Sequence, residues 1–245
     1  MLIEKAAKLI LKAKHITAFT GAGISVESGI PPFRGENGLW NKYDPVFLDI
    51  NYFHQNPLRS WKMIKEIFYD FFGKAKPNAA HIALAKMESS GYINTVITQN
   101  IDNLHQEAGS KNVYEFHGTS RNLICMNCHN TYSAKNTNLS ILPPKCEKCG
   151  EILKPDFVFF GEPIPEPANS ASFREAEISD LFLLIGSTGK VMPASMIPFM
   201  AKRNGVKIIE INITPSNYTN TITDFFLEGK ATKIMTKLME YLEVN

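Results

Sequence analysis

The sequence predicts an α/β fold, a doubly wound parallel sheet with a second, smaller lobe. Three observations predict it. Short runs, several of them apolar throughout, recur at 15–19, 94–98, 113–116, 157–160, 181–185 and 206–211, with a weaker one at 224–227. Such runs suit strands covered on both faces. Stretches of helical apolar spacing alternate with them, as in chains built from strand–helix–strand units. Two segments, about 36–76 and about 119–155, fit neither pattern and read as insertions that build the smaller lobe. The large lobe is then expected from about 1–35, 77–118 and 156–245 of a single 245-residue domain.

Taken in order, Leu2, Ile3, Ala6, Leu9, Ile10 and Ala13 share one face of an N-terminal helix. Lysines and Glu4 interrupt its apolar residues, so it offers no signal-peptide core. No stretch reaches the ~18 apolar residues of a membrane span, and a cytosolic chain without a membrane partner is expected. The first strand follows at 15–19. The first insertion holds an aromatic-rich helical stretch at 58–72. A helix at 77–91 opens on Pro77 and closes on Gly91. The second insertion is rich in Ser, Thr and Asn, contains Pro143-Pro144, and carries all four cysteines. Further helices are expected at 165–179, at 194–204 before Gly205, and at 231–242. The composition is 44% hydrophobic and 20% charged, with a formal net charge of +2. It excludes a disordered or membrane-spanning chain and neither demands nor excludes nucleic acid.

Behind the first strand stands Thr20-Gly-Ala-Gly-Ile-Ser-Val-Glu-Ser-Gly-Ile-Pro-Pro-Phe-Arg-Gly35. Gly21 and Gly23 permit a tight turn and a close backbone approach to a ligand. Ser25 reads as the N-cap of a helix whose free N–H groups attract phosphate, and Arg34 adds a charge for the same anion. By itself the turn also fits a strand-to-helix connection without a ligand. It departs from the usual dinucleotide pattern, because Val26 stands where the third glycine belongs. The polar end of the second strong strand also comes about eighty residues later instead of about twenty. A plain dehydrogenase is disfavoured.

That strand end is Thr98-Gln99-Asn100-Ile101-Asp102. It lies where open α/β sheets bind ligands. It suits readout of amide and ribose hydroxyl groups, or a polar connection with Asp102 capping the next helix. His117 ends the run at 113–116. It suits a general base near neutral pH, although a lone histidine is also a common structural residue. Cys125-x2-Cys128 and Cys146-x2-Cys149 are separated by 17 residues. Two such knuckles make a four-sulfur, tetrahedral zinc site with no open position, hence one structural Zn2+. Disulfides or a redox pair are the alternative.

The ordered set GAGIS…SGIP-x-FRG, TQNID, HG, paired CxxC knuckles and FGE resembles the sirtuin family of NAD-dependent protein deacylases, over about 6–242. The resemblance implies a Rossmann-like large domain with a zinc-binding and helical lobe. It also implies two ligands, NAD as co-substrate and an acyl-lysine peptide bound as an added strand. By the same resemblance, Gly21, Ala22, Gly23 and Ser25 meet the NAD diphosphate. Phe33 shields the reacting sugar and Arg34 holds phosphate. Gln99, Asn100 and Ile101 line the ribose and nicotinamide pocket, Asp102 binds the carboxamide, and His117 is the base, with Asn100 and Asp102 beside it in the catalytic set. Gly186, Ser187, Thr188, Asn212, Ile213 and Ala231 surround adenosine. Val158, Phe159 and Gly161 border the peptide.

The implied reaction moves the acyl group to ADP-ribose, releases nicotinamide and frees lysine. Pro32 stands where many members carry aspartate. Gly189 replaces a bulky apolar residue, and Lys190 beside it reads as solvated charge. Ile64 and Ile67 stand where the desuccinylating branch has Tyr and Arg, which favours acetyl or longer apolar acyl groups over acidic ones; they are equally readable as core. A protein ADP-ribosyltransferase on the same scaffold is the alternative enzyme. A non-catalytic zinc ribbon on nucleic acid is the alternative module, disfavoured because Lys135, Lys145, Lys148 and Lys154 are scattered.

Overall fold

The apolar runs become strands of two separate sheets in the computed structural model, which describes residues 2–35 and 38–243. Residues 36 and 37, where the first insertion was expected to begin, lie outside the described residues, as do 1, 244 and 245 at the expected ends of the large lobe. In chain order the strands are β1 (Ile16–Thr20), β2 (Thr95–Thr98), β3 (Val113–Glu115), β4 (Gly118–Cys125), β5 (Thr131–Ser133), β6 (Leu153–Phe157), β7 (Leu181–Ile185), β8 (Lys207–Asn212) and β9 (Phe225–Glu228). The helices are α1 (Leu2–Lys12), α2 (Ile50–Gln55), α3 (Pro57–Ile64), α4 (Ala79–Ser89), α5 (Leu104–Ala108), α6 (Ala168–Ile178), α7 (Met196–Arg203) and α8 (Ala231–Leu242).

Six strands form a parallel sheet in the order β3-β2-β1-β7-β8-β9. The chain winds outward from β1 to one edge, returns to β7 and winds to the other, which is the doubly wound, Rossmann-like arrangement. Every residue of β1, β2 and β7 is buried, because helices cover both faces. Side-chain alternation splits them into two cores. Ile16, Ala18, Leu181, Leu183 and Ile185 pack with α1, α4 and α8. Phe19, Ile97, Phe182 and Leu184 pack with α6 and α7. Each of the Ile, Leu and Phe side chains contributes about 1.5–3 kcal/mol by leaving water. The register is flush at the carboxyl ends: Thr20 pairs with both Thr98 and Ile185, and Thr98 with Glu115.

The remaining strands form an antiparallel sheet, β5-β4-β6. The run at 157–160 was expected in the parallel sheet. Instead Phe157 ends β6 opposite Gly118, and Phe160 makes an isolated bridge to Asp49. Its apolar character comes from a third core, in which Phe157 and Phe159 pack with Phe53, Trp61, Ile64, Ile67, Phe68, Cys125 and Cys146. That core joins the helical segment to the cysteine-bearing one, and the Trp61 indole N–H donates to Leu153 O at 2.8 Å. The helical stretch expected at 58–72 is α3 followed by a widened π-helical turn at Lys65–Phe71. Ile64, Ile67, Phe68 and Phe72 are all buried there. Helix α4 begins two residues after Pro77 because Asn78 caps it, accepting from Ala80 N–H at 2.9 Å. No helix among the described residues is long and apolar enough to cross a membrane.

Candidate active site

The site forms past the carboxyl ends of the paired strands β1 and β7, from which the chain winds toward opposite edges of the sheet, the point at which open α/β sheets bind ligands. Gly21 and Gly186 are the first residues past these flush strand ends. Gly21 N–H donates to Ile185 O at 3.0 Å, and Gly23 N–H to Gly186 O at 2.9 Å. A Cβ on Gly23 would lie 2.6 Å from Gly186 Cα, and Gly186 itself has φ +63°. These glycines are needed first because one backbone rests on another; a ligand approaching the turn meets main chain already in place. The following helix is a 3-10 helix, Ala22–Ser28, with Gly21 as its cap. Ser25 is therefore not the N-cap that the sequence suggested. It lies fully buried inside the turn, where its hydroxyl serves the neighbouring loop instead.

That loop is the 98–102 segment. Gln99 N–H donates to Thr20 O at 3.0 Å and its side-chain amide to Ser187 Oγ at 3.0 Å. Asn100, also buried, donates to Gly21 O at 3.3 Å and Ser25 Oγ at 3.2 Å. Ser25 Oγ in turn donates to Asp102 Oδ2 at 2.7 Å, while Asp102 Oδ1 accepts from Leu104 N–H, the first of α5, at 3.1 Å. The N-cap position itself is Asn103, so Asp102 supports the helix start from one residue outside it. Burial pushes its pKa up, opposed by the Ser25 and Leu104 donors. Ile101 faces the small-lobe core.

His117 sits between β3 and β4. Its Nδ1 lies 2.9 Å from Gln99 O. A carbonyl only accepts, so Nδ1 carries the proton and Nε2 is left as the acceptor in the neutral ring. Burial holds the imidazole below its ordinary pKa, against a smaller raising effect from the Gln99 carbonyl. The ring is thus neutral near pH 7, with its basic nitrogen turned away from the loop that fixes it.

The 157–161 strip runs beside this histidine. Val158 N–H donates to His117 O at 2.8 Å, Phe160 N–H to Leu48 O at 2.8 Å, and Ile50 N–H to Phe160 O at 3.1 Å. Phe159 is buried edge-on against Phe53, and Gly161 turns the chain away. On the other flank, Asn212 donates to Ser187 O at 3.1 Å. Thr188 and Ile213 are exposed and Ala231 is buried at the start of α8. Glu27 ties that helix start to the glycine turn by accepting from Thr232 Oγ1 at 2.7 Å. Phe33 stacks at a tilt on Trp40, ring centres 5.2 Å apart, and Arg34 is exposed. A Cβ at Gly189 would lie 2.9 Å from the Tyr218 ring, so Tyr218 fills the space that a larger side chain there would take.

The four cysteines converge. Their sulfurs all lie within 4.8 Å of one another, with Cys125–Cys149 at 3.4 Å and Cys128–Cys146 at 3.5 Å. None is in a disulfide. Tetrahedral zinc with sulfurs at about 2.3 Å needs sulfur pairs at roughly 3.8 Å, so the donor set and its spacing fit one Zn2+.

Residues 21–193 match the sequence model of the Sir2 family. The chain belongs to that family. It is 44% identical to an NAD-dependent protein deacylase of Pyrococcus furiosus, across 98% of this chain and 97% of that protein. It is 41% identical to NAD-dependent protein deacetylase 1 of Pyrobaculum aerophilum, across 98% and 94%. Among solved structures, a Sir2–p53 peptide–NAD+ complex superposes with a TM-score of 0.92 at 33% identity, covering all of both chains. A Sir2 homologue bound to ADP-ribose superposes with a TM-score of 0.93 at 40% identity, covering 98% and 96%.

This Sir2-family site rests on side chains that sequence reasoning passed over. His81 Nδ1 lies 3.3 Å from Asn78 N and 3.1 Å from Asn78 Oδ1, and its Nε2 lies 3.4 Å from Ser25 Oγ. His81, Ser25 and Asp102 thus form one connected chain of contacts. His105, stacked edge-on 4.9 Å from His81, meets Thr20 Oγ1 at 2.9 Å. Only their helical spacing toward the sheet marks them in the sequence. Both rings are buried, and burial lowers His81 to about 4 and His105 well below its ordinary value. The unfolded chain takes up these protons near pH 6.5. The two groups' contribution to stability is therefore complete above pH 6.5 and drains as pH falls toward 4, by up to about 1.4 kcal/mol per pH unit for each ring. Thermal melts at pH 7.5, 6 and 5 should show a falling Tm, and a shallower fall in His81→Asn. A Tm that is flat across this range would contradict the assignment.

Proposed function

We propose that the chain is an NAD-dependent protein-lysine deacylase, with acetyl as its preferred group. It transfers the acyl group from lysine to the ADP-ribose part of NAD, releasing nicotinamide first and then, with the consumption of one water, the free lysine. The observation that carries this reading is His117, its proton fixed on Nδ1 by Gln99 O and its Nε2 left basic, beside a polar loop at the switch point of the sheet. NAD, as the second substrate, supplies a C1′–nicotinamide bond whose cleavage lets the amide oxygen bond to the sugar.

The chain's own residues then have these tasks. The Gly21–Gly23 turn offers fixed main chain to the diphosphate, with Arg34 free to close on it. Gln99, Asn100 and Ile101 shape the nicotinamide side, and Asp102 accepts from a carboxamide N–H. Gly186, Ser187, Thr188, Asn212, Ile213 and Ala231 form the adenosine side. Phe33 covers the reacting sugar and keeps water out. His117 Nε2 takes the proton of a ribose hydroxyl as that oxygen attacks the acyl carbon. The peptide adds as a strand along Val158–Phe159 and Gly161, between the two sheets. Cys125, Cys128, Cys146 and Cys149 would hold a zinc that supplies structure alone, since four sulfurs leave no position for substrate. The buried Ile64 and Ile67 offer no cation to an acidic acyl group.

The test is direct. Protein, NAD and an acetyl-lysine peptide are mixed, and nicotinamide and O-acetyl-ADP-ribose are followed by mass spectrometry. Peptide-dependent formation of both is expected. A protein product carrying ADP-ribose, without O-acetyl-ADP-ribose, would identify a transferase and overturn the reading.

A further inference from the structure

We propose that Lys154 is a positioning residue for the acyl-lysine peptide: its buried ammonium fixes the strip on which the peptide pairs. The proposal rests on the deacylase reading above. Lys154 lies on β6, opposite Ile124, one register position from the pair Cys125 and Leu153. A lysine there is unusual, because its side chain is 7% exposed and points into the base of the strip. An ammonium has three donors, and all three are used within a few residues of chain. Nζ donates to Pro155 O at 2.8 Å, to Phe157 O at 2.7 Å and to Glu162 Oε2 at 3.0 Å. The same nitrogen stands 4.2 Å from the centre of the Phe159 ring, a favourable place for a cation.

The partners describe a device. Phe157 O and Phe159 belong to the strip, and Glu162 lies just after it. Glu162 Oε2 also accepts from Phe159 N–H at 2.8 Å. One cation therefore gathers both ends of the segment 157–162 and turns the Phe159 N–H inward. With Val158 N–H held by His117 O and Phe159 O by Glu162 N–H, the edge offered to a neighbouring strand is that of Val158 O and Gly161. Backbone pairing depends on register and on distances near 2.9 Å, so a strip free to shift would lose pairing energy with the peptide. Among the described residues the partners of this cation are Pro155, Phe157, Phe159 and Glu162, none of them assigned to the nucleotide. Burial lowers the Lys154 pKa while Glu162 opposes that shift, which fits a charge retained by its partners.

The experiment measures nicotinamide release at saturating NAD with an acetyl-lysine peptide, for the wild-type protein, Lys154→Met and Lys154→Arg. Zinc content and ADP-ribose affinity are measured on each. Lys154→Met is expected to raise the peptide KM on the order of tenfold or more. Its kcat should change much less, with ADP-ribose affinity and zinc content retained. Lys154→Arg, which keeps the charge and the donors, should recover most of the loss. Should Lys154→Met not fold, Glu162→Gln removes the counter-charge but keeps an acceptor for Phe159 N–H, and should raise KM in the same direction by less. An unchanged peptide KM in whichever of these variants is folded and zinc-loaded overturns the proposal. So does a parallel loss of peptide and ADP-ribose affinity that arginine fails to restore. Absence of peptide-dependent turnover in the wild-type protein is a different outcome: it removes the deacylase reading, and this proposal with it.

Discussion

His117→Ala is expected to reduce deacylation by about 10²–10⁴-fold, the usual worth of a positioned general base, while the protein still binds ADP-ribose. The ring contributes one hydrogen bond to the fold, from Nδ1 to Gln99 O. Gln99 keeps its other ties, to Thr20 O and Ser187 Oγ, so the loop should hold its place without the imidazole. Loss of the base also removes the rising limb of the pH–rate profile, which in the wild-type protein should lie below the ordinary histidine value because burial depresses this group. The measurements are nicotinamide release with an acetyl-lysine peptide and ADP-ribose binding by calorimetry. A variant that deacylates within tenfold of the wild type would show that the proton goes elsewhere. His117→Gln would test the fixing bond separately, since it restores a donor toward Gln99 without a base.

Cys125→Ala is the second large effect. Cys125 is completely buried at the end of β4, and its backbone N–H is held by Asn130 O. It packs in the core shared by Trp61, Phe157 and Phe159. Removing this ligand should cost the zinc, and with it about 3–5 kcal/mol, a fall in Tm of roughly 10 °C for a chain of this size. The two cores on the parallel sheet contain no cysteine. ADP-ribose binding should therefore outlast peptide turnover as chelator is added to the wild-type protein. Zinc content by atomic absorption and Tm by calorimetry decide the matter. Full zinc content and unchanged Tm in the variant would remove the four-sulfur assignment.

The parts of the fold that could be read from the sequence are those set by local chemistry. The run 181–185 and the helix 231–242 appear with the bounds expected of them, because an all-apolar strand and an amphipathic helix each leave a periodic trace. The paired CxxC spacing brought its sulfurs together for a similar reason: each knuckle is a local turn. The run 157–160 was misplaced because being apolar says that a segment is covered, not by which sheet. Ser25 was misjudged because its role is set by Asn100, Asp102 and His81, all more than fifty residues away. Gly189 stands in the sequence only as the replacement of a bulky apolar residue; Tyr218 fills the space beside it. Lys154 looked like one of several scattered charges; its burial depends on Glu162 and two carbonyls that no periodicity announces.

The flush ends of β1, β2 and β7 have a consequence for how such a chain can diversify. Thr20, Thr98 and Ile185 stand level, and the groups proposed to break the glycosidic bond begin one or two residues later. Side chains alternate along a strand, so adding a single residue inside any of the three would turn that strand's core residues toward the opposite layer and carry its reactive end out of line. The long excursions between the strands are under no such restraint. New partners can be acquired there by lengthening or shortening the crossovers, while the rim on which bonds are broken keeps its height.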